Sequence, residues 1–356
     1  MGTVTIRQVA TEAGVSPSTV SNLMAGRSNR MLPATRDRVS AAITKLGYRP
    51  NAAARALRTG RTQTVGLIVP SVANPFWGAF AHELQHAAEA VGYNVLLCNS
   101  ERDPKRERRY VEELWDDGIR GMVLCTSLPS LTHLVPTIER GLRLVTFDRP
   151  IQPDDPASVV SVSINNNVGG YLAAAHLTGL GHRKLTFVSG SLHSLNRTAR
   201  YRGFCTALEH AGLDIEQMAM WPGQDKIPFG VAEFAEVGRR AIHDLFSGDD
   251  PPTGVVAIND MTALGVCRGL RDLGLRVGQD VSVVGFDDIV LADLCDPPLT
   301  TVHQPIAQLA QLAMDEVVSA DGSDVGEPGR SVLLRPELVI RHSTAAPRTE
   351  PTVARQ

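Results

Sequence analysis

Apolar residues recur at helical spacing from the start of the chain: Ile6, Val9, Ala10 and Ala13 fall on one face of a short helix. Thr5 stands just ahead of that run and Gln8 follows three residues later, the spacing of a capping box. Gly14 predicts the stop, because the turn there calls for positive φ. Val15 fills the angle to a second helix, which Ser16 caps and Pro17 opens, where a missing N–H costs nothing. Val20 and Leu23 turn inward, so Ser18, Thr19, Ser21 and Asn22 are left on the outer face. A third helix is expected over 33–46, with Val39, Ala42, Ile43 and Leu46 inward and Gly47 as its end. Residues 1–48 are thus expected to form an all-α helix-turn-helix head.

The pattern changes at Pro50. Asn51 can cap a helical run of about eight residues that ends at Gly60, too short to be stable by itself in water. This hinge, 49–63, is expected to order only against a partner helix on DNA. Leu57 is apolar, sits among basic residues and has no core of its own; such a side chain can wedge into a minor-groove step. A flexible linker with an incidental leucine is the plainer alternative.

From residue 64 the rhythm becomes short β-branched runs alternating with amphipathic helices. Strands are expected over 65–69, 94–98, 121–124, 144–147, 185–188, 254–257 and 281–286. Continuous apolar strands separated by helices predict doubly wound parallel sheets covered on both faces. The length suits two lobes, with the chain crossing near 161–164 and again around 293–298. Lobe one is then about 64–162 plus 296–325, and lobe two about 163–295 plus 326–344. Residues 345–356 are rich in Pro, Thr and Ala and read as a disordered tail. They carry no heptads, so a dimer is expected rather than a coiled-coil tetramer.

Charge sharpens this division. Of 356 residues, the first 61 hold ten Lys/Arg against two Asp/Glu, a net of +8, and the rest hold 25 against 36, a net of −11. A basic head on an acidic body is the electrostatic footprint of a nucleic-acid-binding domain joined to a soluble core. A merely solvated basic tail would not show the regular apolar pattern. The polar row of the second helix suits the major groove of double-stranded DNA. Five widely spaced cysteines, none in a CxxC pair, signal neither a disulfide framework nor a zinc ribbon. Without a signal-like segment or a membrane-length apolar run, the chain is expected in the cytoplasm, away from membranes.

Residues 4–60 resemble the head and hinge of the lactose/galactose-repressor family of bacterial transcription regulators. The resemblance rests on Val9-Ala10, Ala13-Gly14-Val15-Ser16, Thr19-Val20-Ser21 and Thr35-Arg36, then on Tyr48, Pro50-Asn51, Ala54 and Leu57. It continues at 259–265, 280–288 and 298–302, which carry Asn259-Asp260-Met261, Gly285-Phe286-Asp287-Asp288 and Pro298-Leu299-Thr300. It implies a homodimer on a pseudo-palindromic operator and a core like the two-lobed periplasmic sugar-binding proteins. Positions 17, 18 and 22 would face base edges, with Leu57 wedged at the centre. The candidate DNA contacts are Thr5, Ser16, Pro17, Ser18, Thr19, Ser21 and Asn22, with Asn51, Ala54, Arg55 and Leu57 in the hinge. Gln8 stands where the family usually has Asp, Met24-Ala25 replaces an apolar-Asn pair, and Leu32 replaces a capping Ser. The stretch 221–229 departs from the family's spacing, so nothing is carried over there.

Open α/β sheets bind ligands beyond the carboxyl ends of their strands. That rule selects 71–77, 125–127, 148–149, 189–200, 259–260 and 287–288, and within them Ser71, Asn74, Phe76, Asp148, Arg200, Asn259 and Asp287. Aromatic faces beside carboxylates and a guanidinium suit a sugar or related polyol as effector. The resemblance adds that Arg200, Asn259 and Asp287 match effector-holding positions, and Ser194 and Asn196 lack the arginine of purine-responsive members. Individually, Asp148 could cap a turn and Arg200 could simply pair with Asp225 or a neighbour.

His82-Glu83-Leu84-Gln85-His86 satisfies HExxH, the zinc-protease motif. The same helix shows core periodicity through Phe80, Leu84, Ala87, Ala88 and Val91, and no further His-Gly-His follows. Surface histidines are therefore expected, with no metal and no cofactor. GxxxxGK[ST] and GxSxG are missing too, so the chain reads as a regulator, most simply a repressor, and not an enzyme. A transport receptor would share the core but not the basic head.

Overall fold

The computed structural model describes residues 4–24, 31–48, 62–190, 192, 194–215, 220–221, 233–319 and 329–348. The hinge segment 49–61, with Asn51, Ala54, Arg55 and Leu57, lies outside the described residues. The chain divides into two compact units, Met1–Thr62 and Gln63–Gln356.

Among the described residues the first unit shows the three expected head helices: α1 (Ile6–Ala13), α2 (Pro17–Met24) and α3 (Pro33–Leu46). Val9, Ala10, Ala13, Val20, Val39 and Ala42 form its small core, with Ile6, Val15, Leu23, Ile43, Leu46 and Tyr48 packed around it. Leu32 caps α3 with no side-chain hydrogen bond, as its chemistry dictates.

The second unit holds two sheets. In chain order its strands are β1 (Thr64–Val69), β2 (Asn94–Asn99), β3 (Gly121–Cys125), β4 (Arg143–Phe147), β5 (Val160–Ile164), β6 (Leu185–Val188), β7 (Gly254–Ala257), β8 (Ser282–Asp287), β9 (Thr300–His303), β10 (Ser331–Leu334) and β11 (Glu337–Val339). Its helices are α4 (Pro75–Ala90), α5 (Pro104–Asp116), α6 (Val135–Glu139), α7 (Asn166–Gly179), α8 (Leu195–His210), α9 (Glu233–Leu245), α10 (Asp260–Asp272), α11 (Val290–Leu294) and α12 (Ile306–Val318). The first sheet runs β10-β5-β4-β3-β1-β2 and the second β11-β9-β8-β7-β6. Every neighbouring pair is parallel except β11 with β9.

One apolar cluster gathers α4 and α12 under the first sheet together with α7 and α8 under the second. The other faces have their own clusters, around Trp115, Ile119 and Ile138 in the first lobe and around Val237, Ile242 and Leu270 in the second. Two glycine contacts set how closely α7 and α8 cross. A Cβ on Gly170 would lie 1.9 Å from the Arg200 carbonyl oxygen, and one on Gly203 would lie 1.9 Å from that of Asn167. Only glycine permits such an approach, and it is what brings Arg200 against the start of α7.

The lobe boundaries differ from the sequence expectation. The chain crosses after β5, again at 304–305 between β9 and α12, and a third time between β10 and β11. Residues 300–303 therefore belong to the second sheet, paired in parallel with β8 through Val284↔Thr300, and not to lobe one. Residues 331–334 belong to the first sheet, with Ser331 opposite Ser161, and not to lobe two. β9 is buried but reads Thr-Thr-Val-His, and β10 is a half-exposed edge, so neither carries the buried apolar run that marks the central strands. The expected tail is corrected as well. His182 Nε2 lies 2.9 Å from the Ala345 carbonyl oxygen, the Ala345 N–H donates to Ser282 Oγ at 3.0 Å, and Arg348 pairs with Asp280 at 2.7 Å. Residues 345–348 are pinned to the second sheet; 349–356 lie outside the described residues.

Candidate functional site

In the head, the capping chemistry positions the polar row. The Gln8 N–H donates to Thr5 Oγ1 at 3.4 Å while the Thr5 N–H donates to Gln8 Oε1 at 2.8 Å, closing both halves of the box. Gly14 takes φ 63° and the Val15 N–H reaches the Ala10 carbonyl at 3.0 Å, which ends α1 and aims the chain into α2. Ser16 Oγ then accepts from the Thr19 N–H at 3.2 Å and sits 2.7 Å from Ser18 Oγ. Ser16, Pro17, Ser18 and Asn22 are exposed, Thr5 is exposed at the start of α1, and Thr19 and Ser21 are half-buried. Hydroxyls and an amide are thus held on the rim of α2 while Val20 behind them is fully buried. Groups of this kind can donate to and accept from phosphate oxygens and base edges.

The second site is built at the carboxyl ends of strands from both sheets. Asp148, immediately after β4, has φ 57°, Asp287 at the end of β8 has φ 113°, and Arg102 after β2 has φ 56°. Non-glycine residues in this region cost about 1–3 kcal/mol each and gather where a ligand must be met. Asp148 reaches across from the first lobe: Asn166 Nδ2 at the start of α7 donates to Asp148 Oδ1 at 3.1 Å, and Asn196 Nδ2 on α8 donates to Asp148 Oδ2. The Leu195 N–H also donates across, to the Ser127 carbonyl at 3.1 Å.

Arg200 is the hub on the second lobe. Its Nε donates to Asn166 Oδ1 at 2.8 Å and its Nη1 to the Ile258 carbonyl at 2.7 Å, with Asp287 Oδ1 at 3.7 Å. The guanidinium lies 3.5 Å above the centre of the Phe286 ring, a close cation–π stack. Gln304 Nε2 donates to Asp287 Oδ1 at 2.7 Å. Asn259 Oδ1 accepts from the Thr262 N–H at 2.9 Å to cap α10, so its NH₂ group is what it can offer a ligand.

The charges feel one another. Burial pushes the Asp287 carboxyl up to about 7, against the pull of Arg200. Burial also raises Asp148, opposed by Arg200 and by its two asparagine donors. Arg102 is brought down to about 10 by burial, against the pull of Asp148, with Arg200 adding like-charge repulsion. Arg197 is lowered well below the ordinary guanidinium range, first by burial and then by Arg102 and Arg200. These groups make one largely buried cluster of ionisable side chains at the junction of the lobes.

Of the residues selected from sequence, Asp148, Arg200, Asn259 and Asp287 converge here. Arg200 pairs with neighbours, Asp287 and Asn166, as its plainer reading allowed, and Asp225 lies outside the described residues. Asn74 Oδ1 caps α4 by accepting from the Phe76 N–H at 3.1 Å, and Ser71 Oγ accepts from the Ala73 N–H at 3.3 Å. Phe76 is buried, edge-on to Trp77 at 4.9 Å and 6.4 Å from Phe147, the residue before Asp148; it supports that wall from beneath. Arg149, beside Asp148, points away and is held by Asp155 and by the carbonyls of Leu128 and Pro129. Arg102, Asn166 and Gln304 join the cluster from outside the selected segments, and Asn196 and Arg197 join it from within 189–200, where Arg200 was the candidate. Arg102 follows a strand end, a signal that could have selected it; Asn166 and Gln304 sit at lobe crossings that only the topology reveals.

Residues 5–51 match the model of the bacterial regulatory proteins of the lacI family, and residues 174–344 match that of the periplasmic binding protein-like domain. The transcriptional regulator DegA of Bacillus subtilis is 31% identical over 348 residues, covering 96% of this chain and 98% of its own. The transcriptional repressor PurR of Aliivibrio salmonicida is 31% identical over 340 residues, covering 95% and 98%. The crystal structure of a LacI family transcriptional regulator from Enterococcus faecium with bound ribose superposes with a TM-score of 0.70 at 26% identity, covering 80% of this chain and all of that one. A capped helix-turn-helix, two parallel-sheet lobes and whole-length relatives at this identity agree: the chain belongs to the lacI family of bacterial regulatory proteins.

Proposed function

We propose that this DNA-binding regulator is a homodimeric repressor of a pseudo-palindromic operator, controlled by a sugar or related polyol that binds between the core lobes. The observation that carries this reading is the buried cluster at the strand ends, where Asp148 of one lobe is held by Asn166 and Asn196 of the other. Carboxylates, amides and a guanidinium buried in one cleft match the alternating donors and acceptors of a polyol. A relative solved with ribose supports the same chemistry.

In this mechanism the effector's hydroxyls compete with the asparagine donors for Asp148 and with Asp287 for Arg200. The lobes then settle at a different relative angle, and the two hinges of the dimer are drawn apart or together. Pro17, Ser18 and Asn22 read base edges, Thr5, Ser16, Thr19 and Ser21 hold the phosphates, and the hinge adds Asn51, Ala54, Arg55 and the Leu57 wedge. Exposed apolar side chains on the edge strand β2 (Leu96 and Leu97) and on α11 (Val290 and Leu294) give both lobes a surface that a second copy would cover.

A thermal-shift screen of sugars and nucleosides against the full chain tests the effector class. A sugar that raises the melting temperature of the wild type, and leaves Arg200→Met unmoved, is the expected outcome. Stabilisation by nucleosides alone would replace the sugar by a purine-like ligand. Sedimentation at micromolar concentration tests the dimer.

A further inference from the structure

Three arginines come together where the lobes meet. Arg102 follows β2 in the first lobe, and Arg197 and Arg200 stand one helical turn apart on α8 in the second. Arg197 and Arg200 are 6% and 5% exposed, and Arg102 is half-buried. Behind the effect of burial, the like charge of Arg200 lowers Arg102 against the pull of Asp148, and Arg102 and Arg200 together lower Arg197. Their places along the chain add to the cost. Arg102 is one residue ahead of the Asp103 cap of α5, and Arg197 lies in the first turn of α8, just after the Ser194 cap. Helix starts carry partial positive charge and favour anions, so neither place suits a cation.

The carboxylates of the cluster are already engaged. Asp148 accepts from Asn166 and Asn196, and Asp287 accepts from Gln304 and stands 3.7 Å from Arg200. Glu107 acts on Arg102 from the buried side, where its Oε2 lies 2.9 Å from His133 Nε2. Burial pushes the carboxyls of Asp148 and Asp260 up and brings Asp287 to about 7, whereas guanidiniums stay charged. Near neutral pH, guanidinium charge therefore exceeds carboxylate charge among the described residues of the cluster, even with Glu107 counted. Buried charge in excess costs stability until a partner of opposite sign offsets it.

We infer that the effector is an anionic polyol, whose carboxylate or phosphate group sits between Arg102 of the first lobe and Arg197 of the second. The inference rests on the strand-end cleft being the effector site and narrows the class of ligand it takes. An anion there receives charge-assisted hydrogen bonds from both lobes at once, so its binding draws the lobes together against the repulsion between the two guanidiniums. Arg200 and the asparagines are left for the hydroxyls.

Inorganic phosphate is the first probe, titrated into the full chain in chloride at constant ionic strength and followed by calorimetry and thermal melting. The wild type should show saturable binding that Arg102→Gln and Arg197→Gln each weaken by about tenfold or more. Arg197→Lys, which keeps the charge, should recover part of that loss, and Arg276→Gln on the surface should match the wild type. Melting without phosphate shows that each variant folds. Ribonate, gluconate, ribose phosphate and glucose phosphate, each set beside the neutral sugar, then displace the bound phosphate and separate a carboxylate source from a phosphate source. At least one of these anions should displace it about tenfold better than its neutral parent. No saturable phosphate binding in the wild type, binding that both glutamine variants retain, or displacement by neutral sugars as strong as by the anions would overturn the inference. A neutral sugar that binds through Arg200 and ignores both variants would remove the anion and leave the effector cleft standing. Anions that bind through Arg102 and Arg197 without changing operator affinity would keep the anion site and remove the effector reading beneath it.

Discussion

The head and the core solve opposite problems. The head exposes its working groups: a row of short polar side chains on α2, fixed by caps that act over three residues, above a core of six small or β-branched buried residues. The core hides its working groups: arginines and carboxylates are buried together, on strained backbone, where sheets from both lobes end. The difference follows from the partner each must meet. A polyanion as wide as DNA is reached by a surface and can supply its own charge, so exposure costs nothing. A small ligand must be taken out of water, so groups that are to grip one do best buried and pre-oriented before it arrives.

The contrast can be broken most forcefully with salt. With a net charge of +8 in residues 1–61, operator affinity should fall by about a thousandfold between 50 and 200 mM salt, while effector binding to the core changes little. Filter-binding and calorimetric titrations at matched ionic strengths measure the two; parallel slopes would erase the distinction. Next in size, Arg200→Met leaves Asp287 and Asn166 without their buried partner and should cost the core about 3 kcal/mol in urea unfolding at pH 8. The head's operator contacts should survive it in the absence of effector.

Asn22→Ala should reduce operator affinity by about tenfold without moving the core transition, as expected for one lost base-edge contact. Smaller still, Thr5→Ala opens both halves of the capping box and should cost the head about 1 kcal/mol, with the core's melting temperature unchanged.

The finest test is of pH. The folded Asp287 carboxyl, near 7, stands above the ordinary carboxylate value of about 4, so the folded state holds its proton more tightly than the unfolded chain. The stabilisation from that proton is complete below about pH 4 and is lost as the pH climbs through about 7. Wild-type core stability should therefore decline over that window, and Asp287→Asn should flatten the decline. A slope identical in the two proteins would remove Asp287 from the buried cluster.

The same contrast explains how far the sequence could be read. The head was legible almost to the residue, because Thr5 with Gln8, Gly14, and Ser16 with Pro17 act on neighbours close along the chain. The central strands were legible from their apolar runs. The interior strand β9 (Thr-Thr-Val-His) and the half-exposed edge strand β10 were not, since neither shows a continuous apolar run, and the lobe boundaries moved with them. In the cleft, Asp148, Arg200, Asn259 and Asp287 follow from the strand-end rule. Asn166 and Gln304 do not, because they reach the cluster only where the chain crosses between lobes. Arg197 shows a further limit: an arginine in the first turn of a helix usually faces water, and only the tertiary packing turns it inward.

Coupling between the core and the head is reached directly by one measurement. Duplexes bound by the full chain are selected from a randomised pool, and fluorescence anisotropy then follows the winning sequence and a scrambled control, with and without the sugar that stabilises the core. The selected duplex should be preferred by at least about a hundredfold. Saturating sugar should change this preference about tenfold or more in the wild type and not at all in Arg200→Met. Equal affinity for selected and scrambled duplexes, or a sugar response that Arg200→Met retains, would contradict this reading.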